Sequence, residues 1–470
     1  MTDPATQSVV DAHASDRAPS AATLLILGAS GDLTRRLLLP GLGTLLREEP
    51  ERRVRVVGAD RNELSLEDWK TKVRDALAEA DLDEERIERL VSDTSYEQVD
   101  ALDQDQLATL LQTCGEDLVV YFALPPSVTV QVCEKLEEIR VPRGTRLALE
   151  KPFGNDLQTA QELNEQLLRV VPENHIFRID HFLGVNTILN LIGIRFANRV
   201  LQPIWSNEHI ERVEITYDET LALEGRAGYY DKAGALLDMI QSHLLEILAF
   251  FAMETPATMD AEEVRSLKAQ VLRATQPWGR DPAAASKRAR YTAGAVEGRE
   301  IPDYVAEEGV DGGRGTETLA QLTVQLENSR WAGVPFVLRS GKAMGAANKQ
   351  VEVIFKEPAH IPTGFQDTQE PDRLILEIKP GAVTLDLSMN AEGDPFVLEQ
   401  KELSAAMGQP RMLPYGEVLG AILDGDPLMT IRGDEAEELW RIVEPVLAAW
   451  RADEVPLEEY AAGSAGPEGW

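Results

Sequence analysis

The fold is decided near the start of the chain, at Thr23-Leu24-Leu25-Ile26-Leu27-Gly28-Ala29-Ser30-Gly31-Asp32-Leu33. An apolar run ending on a glycine reads as a buried strand, and the apolar-periodic segment from Leu37 to Leu46 reads as a helix. Between them, a glycine-rich turn lets backbone amides approach a pyrophosphate at a helix N-terminus. The two glycines alone could be a tight turn with no ligand. At the head of a series of alternating strands and helices they point to a dinucleotide.

Upstream, residues 1–22 are polar, rich in Ala, Ser, Asp and Thr, and without hydrophobic period, so they read as a disordered N-terminal tail. Downstream, predicted strands at 53–57, 118–123 and 146–149 alternate with helical segments at 67–80, 104–114 and 128–139. This alternation predicts a parallel sheet covered on both faces across residues 23–178. After Arg178 the rhythm changes to long apolar helices at 186–197 and 235–253, with strands at 213–217, 319–326, 351–355, 374–378 and 383–387. Runs of strands without intervening helices predict a mostly antiparallel sheet, in an α+β domain for substrate binding and oligomerisation over 179–455 that closes on a helix at 435–450. Residues 456–470, rich in Gly and Pro, read as a C-terminal tail. The fold class is thus α/β plus α+β: an N-terminal Rossmann-like dinucleotide-binding domain, then a larger α+β domain.

Composition narrows the partners. Lys and Arg number 46 against 80 Asp and Glu, a formal net charge of −34, and the pI is about 4.6. Nucleic acid and anionic membrane both require a basic face, so neither is expected as a partner. Cys114 and Cys133 have no spacing suited to zinc or a disulfide framework, which predicts a reducing compartment and no metal. The first residues lack a basic and an apolar region of the secretory kind, and no stretch has ~18 uninterrupted apolar residues, so a cytoplasmic location is expected.

Beyond the second strand sits Gly58-Ala59-Asp60-Arg61. At this point of a dinucleotide fold a carboxylate takes the ribose hydroxyls of NAD and an arginine takes the 2′-phosphate of NADP. Both are present, so NADP with NAD as a second possibility is expected, Asp60 repelling the phosphate that Arg61 attracts.

Three further segments carry chemistry: Glu150-Lys151-Pro152-Phe153-Gly154, Arg178-Ile179-Asp180-His181-Phe182-Leu183-Gly184 and Asp238-Met239-Ile240-Gln241-Ser242-His243. Together with Tyr121-Phe122-Ala123-Leu124-Pro125-Pro126, the Gly341-Lys342-Ala343 turn and Ala461-Ala462-Gly463-Ser464, they resemble the glucose-6-phosphate dehydrogenase family over about residues 23 to 465. Oxidising a hemiacetal hydroxyl needs a base to take the O–H proton while hydride leaves for a nicotinamide, and a neutral histidine suits this near pH 7. A lone histidine on an apolar helix is more often a core residue; the resemblance makes His243 the base and Asp180 the carboxylate on its second ring nitrogen.

The resemblance further implies that Lys151 bridges nicotinamide and sugar, that Glu219, Asp238 and Lys342 bond sugar hydroxyls, and that His181 lies at the phosphate end. It assigns Gly28, Ala29, Ser30, Gly31, Asp32, Leu33, Arg61 and Lys151 to the cofactor. It also implies a homodimer or homotetramer, a small sugar as substrate, a cis or strained Lys151–Pro152 peptide, and, as in some members, a second structural nucleotide at Arg339 and Lys349. Without it, Glu219 and Lys342 would read as surface charges and Asp238 as a helix cap.

The chain also departs from the family pattern. Phe182 replaces a tyrosine, Val185 a lysine, and Leu37 another lysine just inside the first helix, while Lys379 stands where an uncharged Gln is usual. Three readings follow: an enzyme of the oxidative pentose phosphate pathway making 6-phospho-D-glucono-1,5-lactone; the same C1 oxidation on a hexose with no phosphate or another 6-substituent; and a non-catalytic nucleotide-binding paralogue.

Overall fold

The computed structural model describes residues 22–184, 186–366, 370–378, 381–408 and 410–470. The chain forms two compact units. One comprises the chain up to Glu150 with Gln166–Phe177 and Arg411–Asp426, the other Lys151–Glu165, Arg178–Pro410 and Pro427–Trp470.

In the first unit, strands β1 (Ala22–Leu27), β2 (Val54–Asp60), β3 (Ser95–Gln98), β4 (Leu118–Phe122) and β5 (Arg146–Glu150) lie in the order β3-β2-β1-β4-β5, and the sheet continues into β6 (Ile176–Ile179), of which Ile176 and Phe177 belong to this unit. The pairs from β3 to β5 are parallel. Every residue of β1 and β4 is buried, which is why both read as unbroken apolar runs. Ala22, expected as the end of the tail, is the first residue of β1; residues 1–21 lie outside the described residues.

The turn after β1 requires its glycine. Gly28 has φ +87°, and a Cβ there would sit 2.2 Å from the carbonyl oxygen of Ala123. The helix Leu39–Glu48 packs against Pro414–Asp424 at glycine distance: a Cβ on Gly41 would lie 2.7 Å from Cβ of Tyr415, and one on Gly416 2.6 Å from Oγ1 of Thr44. Arg411–Asp426, expected inside the second domain, therefore belongs with the first unit. Local periodicity shows that a helix has an apolar face, not which distant helix covers it.

The second unit is built on strands β7 (Ile210–Asp218), β8 (Ser286–Thr292), β9 (Leu319–Leu326), β10 (Phe336–Gly341), β11 (Asn348–Phe355), β12 (Arg373–Glu377), β13 (Ala382–Asn390), β14 (Leu398–Ala406) and β15 (Leu457–Ala461). Their order is β14-β13-β12-β11-β7-β10-β9-β8-β15. Neighbours are antiparallel except β7 with β10 and β8 with β15. β15 corrects the expectation of a tail from 456: Tyr460 is buried there against the core, and a short edge strand among glycines gives little periodic signal.

A helical run over Ala227–Ala252 is apolar enough to cross a membrane, with mean hydropathy 1.5, yet 89% of its apolar window is buried in the protein, as for a core helix. Beside it lies a wholly buried ionic cluster. Nζ of Lys268 is 2.7 Å from Glu246 and 3.3 Å from Glu435. Burial pushes the Glu246 carboxyl up to about 7, with Lys268 opposing.

Candidate active site

Asp180 follows the end of β6, where its Oδ1 accepts the backbone N–H of Phe182 at 2.9 Å. The same oxygen lies 2.5 Å from Nδ1 of His243, and both side chains are buried. Burial alone would raise the Asp180 carboxyl, but the adjoining His243 holds it well below the usual carboxylate range. Burial lowers the pKa of His243 and Asp180 opposes the fall, so the imidazole is neutral at pH 7. The carboxylate beside Nδ1 favours the tautomer protonated there, which leaves the lone pair on Nε2. Nζ of Lys151 meets it at 2.8 Å and also donates to the carbonyl of Asp238 at 2.6 Å. The Lys151–Pro152 bond is cis.

Asp238 and His243 share a stretch, Leu236–Leu244, wound as a π-helix. Five residues apart in an α-helix would be about 140° apart around the axis; wider winding brings the two toward one face. The bend into this stretch depends on Gly234, at φ 66°, where a Cβ would sit 2.2 Å from the Glu317 carboxylate. That buried carboxylate accepts the N–H of Leu236 at 3.0 Å, and burial pushes its pKa to about 7.

The end of the antiparallel sheet supplies the remaining groups. Glu219, just past β7, accepts from Lys342 at 3.1 Å and from Lys349 at 3.2 Å. Burial would raise Glu219, but these two ammonium groups hold it below its usual range. Asp238 is likewise held low, against its burial, first by Lys151 and then by Lys342. On the other side, the Phe182 ring stacks on His243, with centres 3.9 Å apart and planes 13° apart, and stands 5.0 Å from Tyr217. Lys349 lies 4.4 Å from the centre of the Tyr217 ring. His181 is edge-on to His243 at 5.2 Å, and burial lowers its pKa to about 4.

In the first unit, the turn Gly28 to Leu33 leads into the helical segment Thr34–Leu38, and Asp32 pairs with Arg36 at the surface. Both oxygens of Asp60 are engaged: one accepts from Ser30 N at 3.2 Å and Ser30 Oγ at 2.7 Å, the other from Asn62 N at 3.1 Å. Arg61 is exposed beside it.

Residues 25–190 match the family model for the glucose-6-phosphate dehydrogenase NAD-binding domain, and 192–470 match that for its C-terminal domain. The chain belongs to the glucose-6-phosphate dehydrogenase family. It is 40% identical over 466 residues to glucose-6-phosphate 1-dehydrogenase of Gluconobacter oxydans, covering 94% of each chain. It is 36% identical over 469 residues to that of Rhizobium meliloti, again covering 94% of each. A solved glucose-6-phosphate dehydrogenase in complex with its substrate glucose 6-phosphate superposes with TM-score 0.87 at 29% identity, covering 97% of each chain.

Within the glucose-6-phosphate dehydrogenase family pattern, the structure brings His243, Asp180, Lys151, Asp238 and His181 together and gathers Glu219 with Lys342. The cations expected at a second nucleotide are turned inward: Arg339 bonds Asp218 at 2.9 Å and Lys349 bonds Glu219. Leu37 is an exposed apolar side chain on the first helix. Val185 and Lys379 lie outside the described residues. Sequence reading missed Phe182 as the stacking partner of His243, Tyr217 and Glu317. Tyr217 had a signal, since it closes the strand read at 213–217 immediately before Asp218-Glu219.

Proposed function

We propose that this chain oxidises C1 of D-glucose 6-phosphate to 6-phospho-D-glucono-1,5-lactone with NADP, and that His243 takes the proton. The observation that carries the assignment is the 2.5 Å contact between Asp180 and Nδ1, which leaves Nε2 as the acceptor. The first unit's turn suits the cofactor by its place, between the buried strand β1 and a helical segment at the centre of a parallel sheet. NADP, when bound, supplies the hydride acceptor.

The residues act in sequence. When the sugar enters, its C1 hydroxyl takes the place of Lys151 at Nε2. His243 accepts the O–H proton as the C1 hydrogen departs with its electron pair, and Asp180 stabilises the imidazolium. Lys151, released from the ring, donates to sugar and nicotinamide. Asp238, Glu219 and Lys342 hold the hydroxyls. The location is cytoplasmic and the assembly a homodimer or homotetramer.

His243→Asn tests this by following NADPH formation: cofactor and sugar should bind nearly as in the wild type while most turnover is lost. Retention of kcat within tenfold would show that another group is the base.

A further inference from the structure

The usual contacts for a phosphate ester are thin here. Phe182 has no hydroxyl, and Val185 and Leu37 have no charge. A sugar phosphate is a dianion entering a protein of net charge −34, so its ester end needs a cation placed at the site. Two arms of side chains leave His243 and converge on one. The charged arm runs through Lys151, Asp238 and Lys342 to Glu219, and the aromatic arm through Phe182 to Tyr217. Both end at Lys349.

At that corner one carboxylate, Glu219, is shared by two ammonium groups; Lys342 also faces Asp238, and Lys349 is the cation at the outer end of the arm. The position is rigid. Tyr217 and Lys349 are directly paired residues of β7 and β11, held by the sheet rather than by a loop. Burial disfavours the ammonium, yet Tyr217 and Glu219 more than offset it, so Lys349 stays charged.

We infer that Lys349, with the hydroxyl of Tyr217, forms the subsite for the 6-phosphate dianion, replacing the ammonium and hydroxyl that Val185 and Phe182 do not provide. This rests on the reading that glucose 6-phosphate is the substrate, and it turns Lys349 from a nucleotide contact into a determinant of sugar specificity.

The test is the ratio of kcat/KM for glucose 6-phosphate to that for glucose, with inhibition by inorganic phosphate as a second readout. Lys349→Met should lower the ratio about 10- to 100-fold, through KM for the ester, and weaken phosphate inhibition by a similar factor. Lys349→Arg should keep most of the ratio, and Tyr217→Phe should lower it less. An unchanged ratio in Lys349→Met, an equal loss for both sugars, or a collapse seen in Lys379→Met instead overturns the inference. Should Lys349→Met not fold, Tyr217→Phe decides: unchanged ratio and phosphate inhibition overturn the assignment. A wild-type enzyme that forms no NADPH from glucose 6-phosphate would refute the proposed function itself, a result distinct from an active enzyme indifferent to Lys349.

Discussion

Replacing Asp180 by asparagine removes a charge and leaves a side chain of nearly the same shape. In the wild type, His243 becomes an imidazolium in a buried site with a carboxylate 2.5 Å from Nδ1, after the sugar hydroxyl has displaced Lys151 from Nε2. At an effective dielectric of about 20, opposite charges roughly 4 Å apart attract by about 4 kcal/mol, or about three powers of ten in rate. An asparagine turned amide-first would also force the ring proton onto Nε2, where the base must be open. Turnover of Asp180→Asn should therefore fall about a thousandfold, with little change in cofactor affinity. The pH profile adds a sign. Asp180 lifts the pKa of His243 against burial, so its loss should move the acid limb of kcat/KM to lower pH. Initial rates of NADPH formation across the acid and neutral range give both quantities. A kcat within tenfold of wild type, with the limb unmoved or shifted upward, would refute the reasoning.

Arg61→Ala should raise KM for NADP and leave NAD nearly untouched, because the guanidinium has no partner without a 2′-phosphate; equal effects in paired cofactor titrations would remove that role. Asp60→Ala should weaken both cofactors, since it frees the Ser30 and Asn62 donors that order the turn, whereas a selective gain for NADP would mean that charge repulsion dominates. Glu246 has a folded pKa of about 7 against an ordinary 4.5, so the folded state binds the extra proton and this group's contribution to stability declines as pH rises between those values. Glu246→Gln should accordingly gain stability relative to wild type as pH is raised from 5 to 8, within the bounds of that shift, as read by thermal midpoints; a constant difference would show that the carboxyl does not titrate there.

Much of this was legible in the residues. Gly28 to Leu33 announces its turn because only glycine tolerates that φ and that neighbour, and the segments around Lys151, Asp180 and His243 keep their order and spacing. What escaped was what the chain assembles from afar. Phe182 reads as a lost hydroxyl, and only the folded site shows its ring lying flat on His243. Lys349 resembles a nucleotide contact until strand pairing sets it beside Tyr217. Asp60 beside Arg61 suggested competition for the ribose, but its bonds to Ser30 and Asn62 are invisible to local reading. The strand β15 and the helix Pro414–Asp424 were misplaced for one reason: their partners lie far away in sequence.

That separation has a consequence during synthesis. The helix Leu39–Glu48 leaves the ribosome early, while the residue whose backbone bonds Thr44, Leu413, follows 369 positions later. Nascent domains ordinarily fold as they emerge, but here Gly41 and Thr44 must wait, uncovered, until Leu413 has been made. The second unit waits longer still, until Leu457–Ala461 can close on Ser286–Thr292. The first unit closes only when Arg411–Asp426 has been made and the second only with Leu457–Ala461, so each is completed long after the strands and helices it begins with.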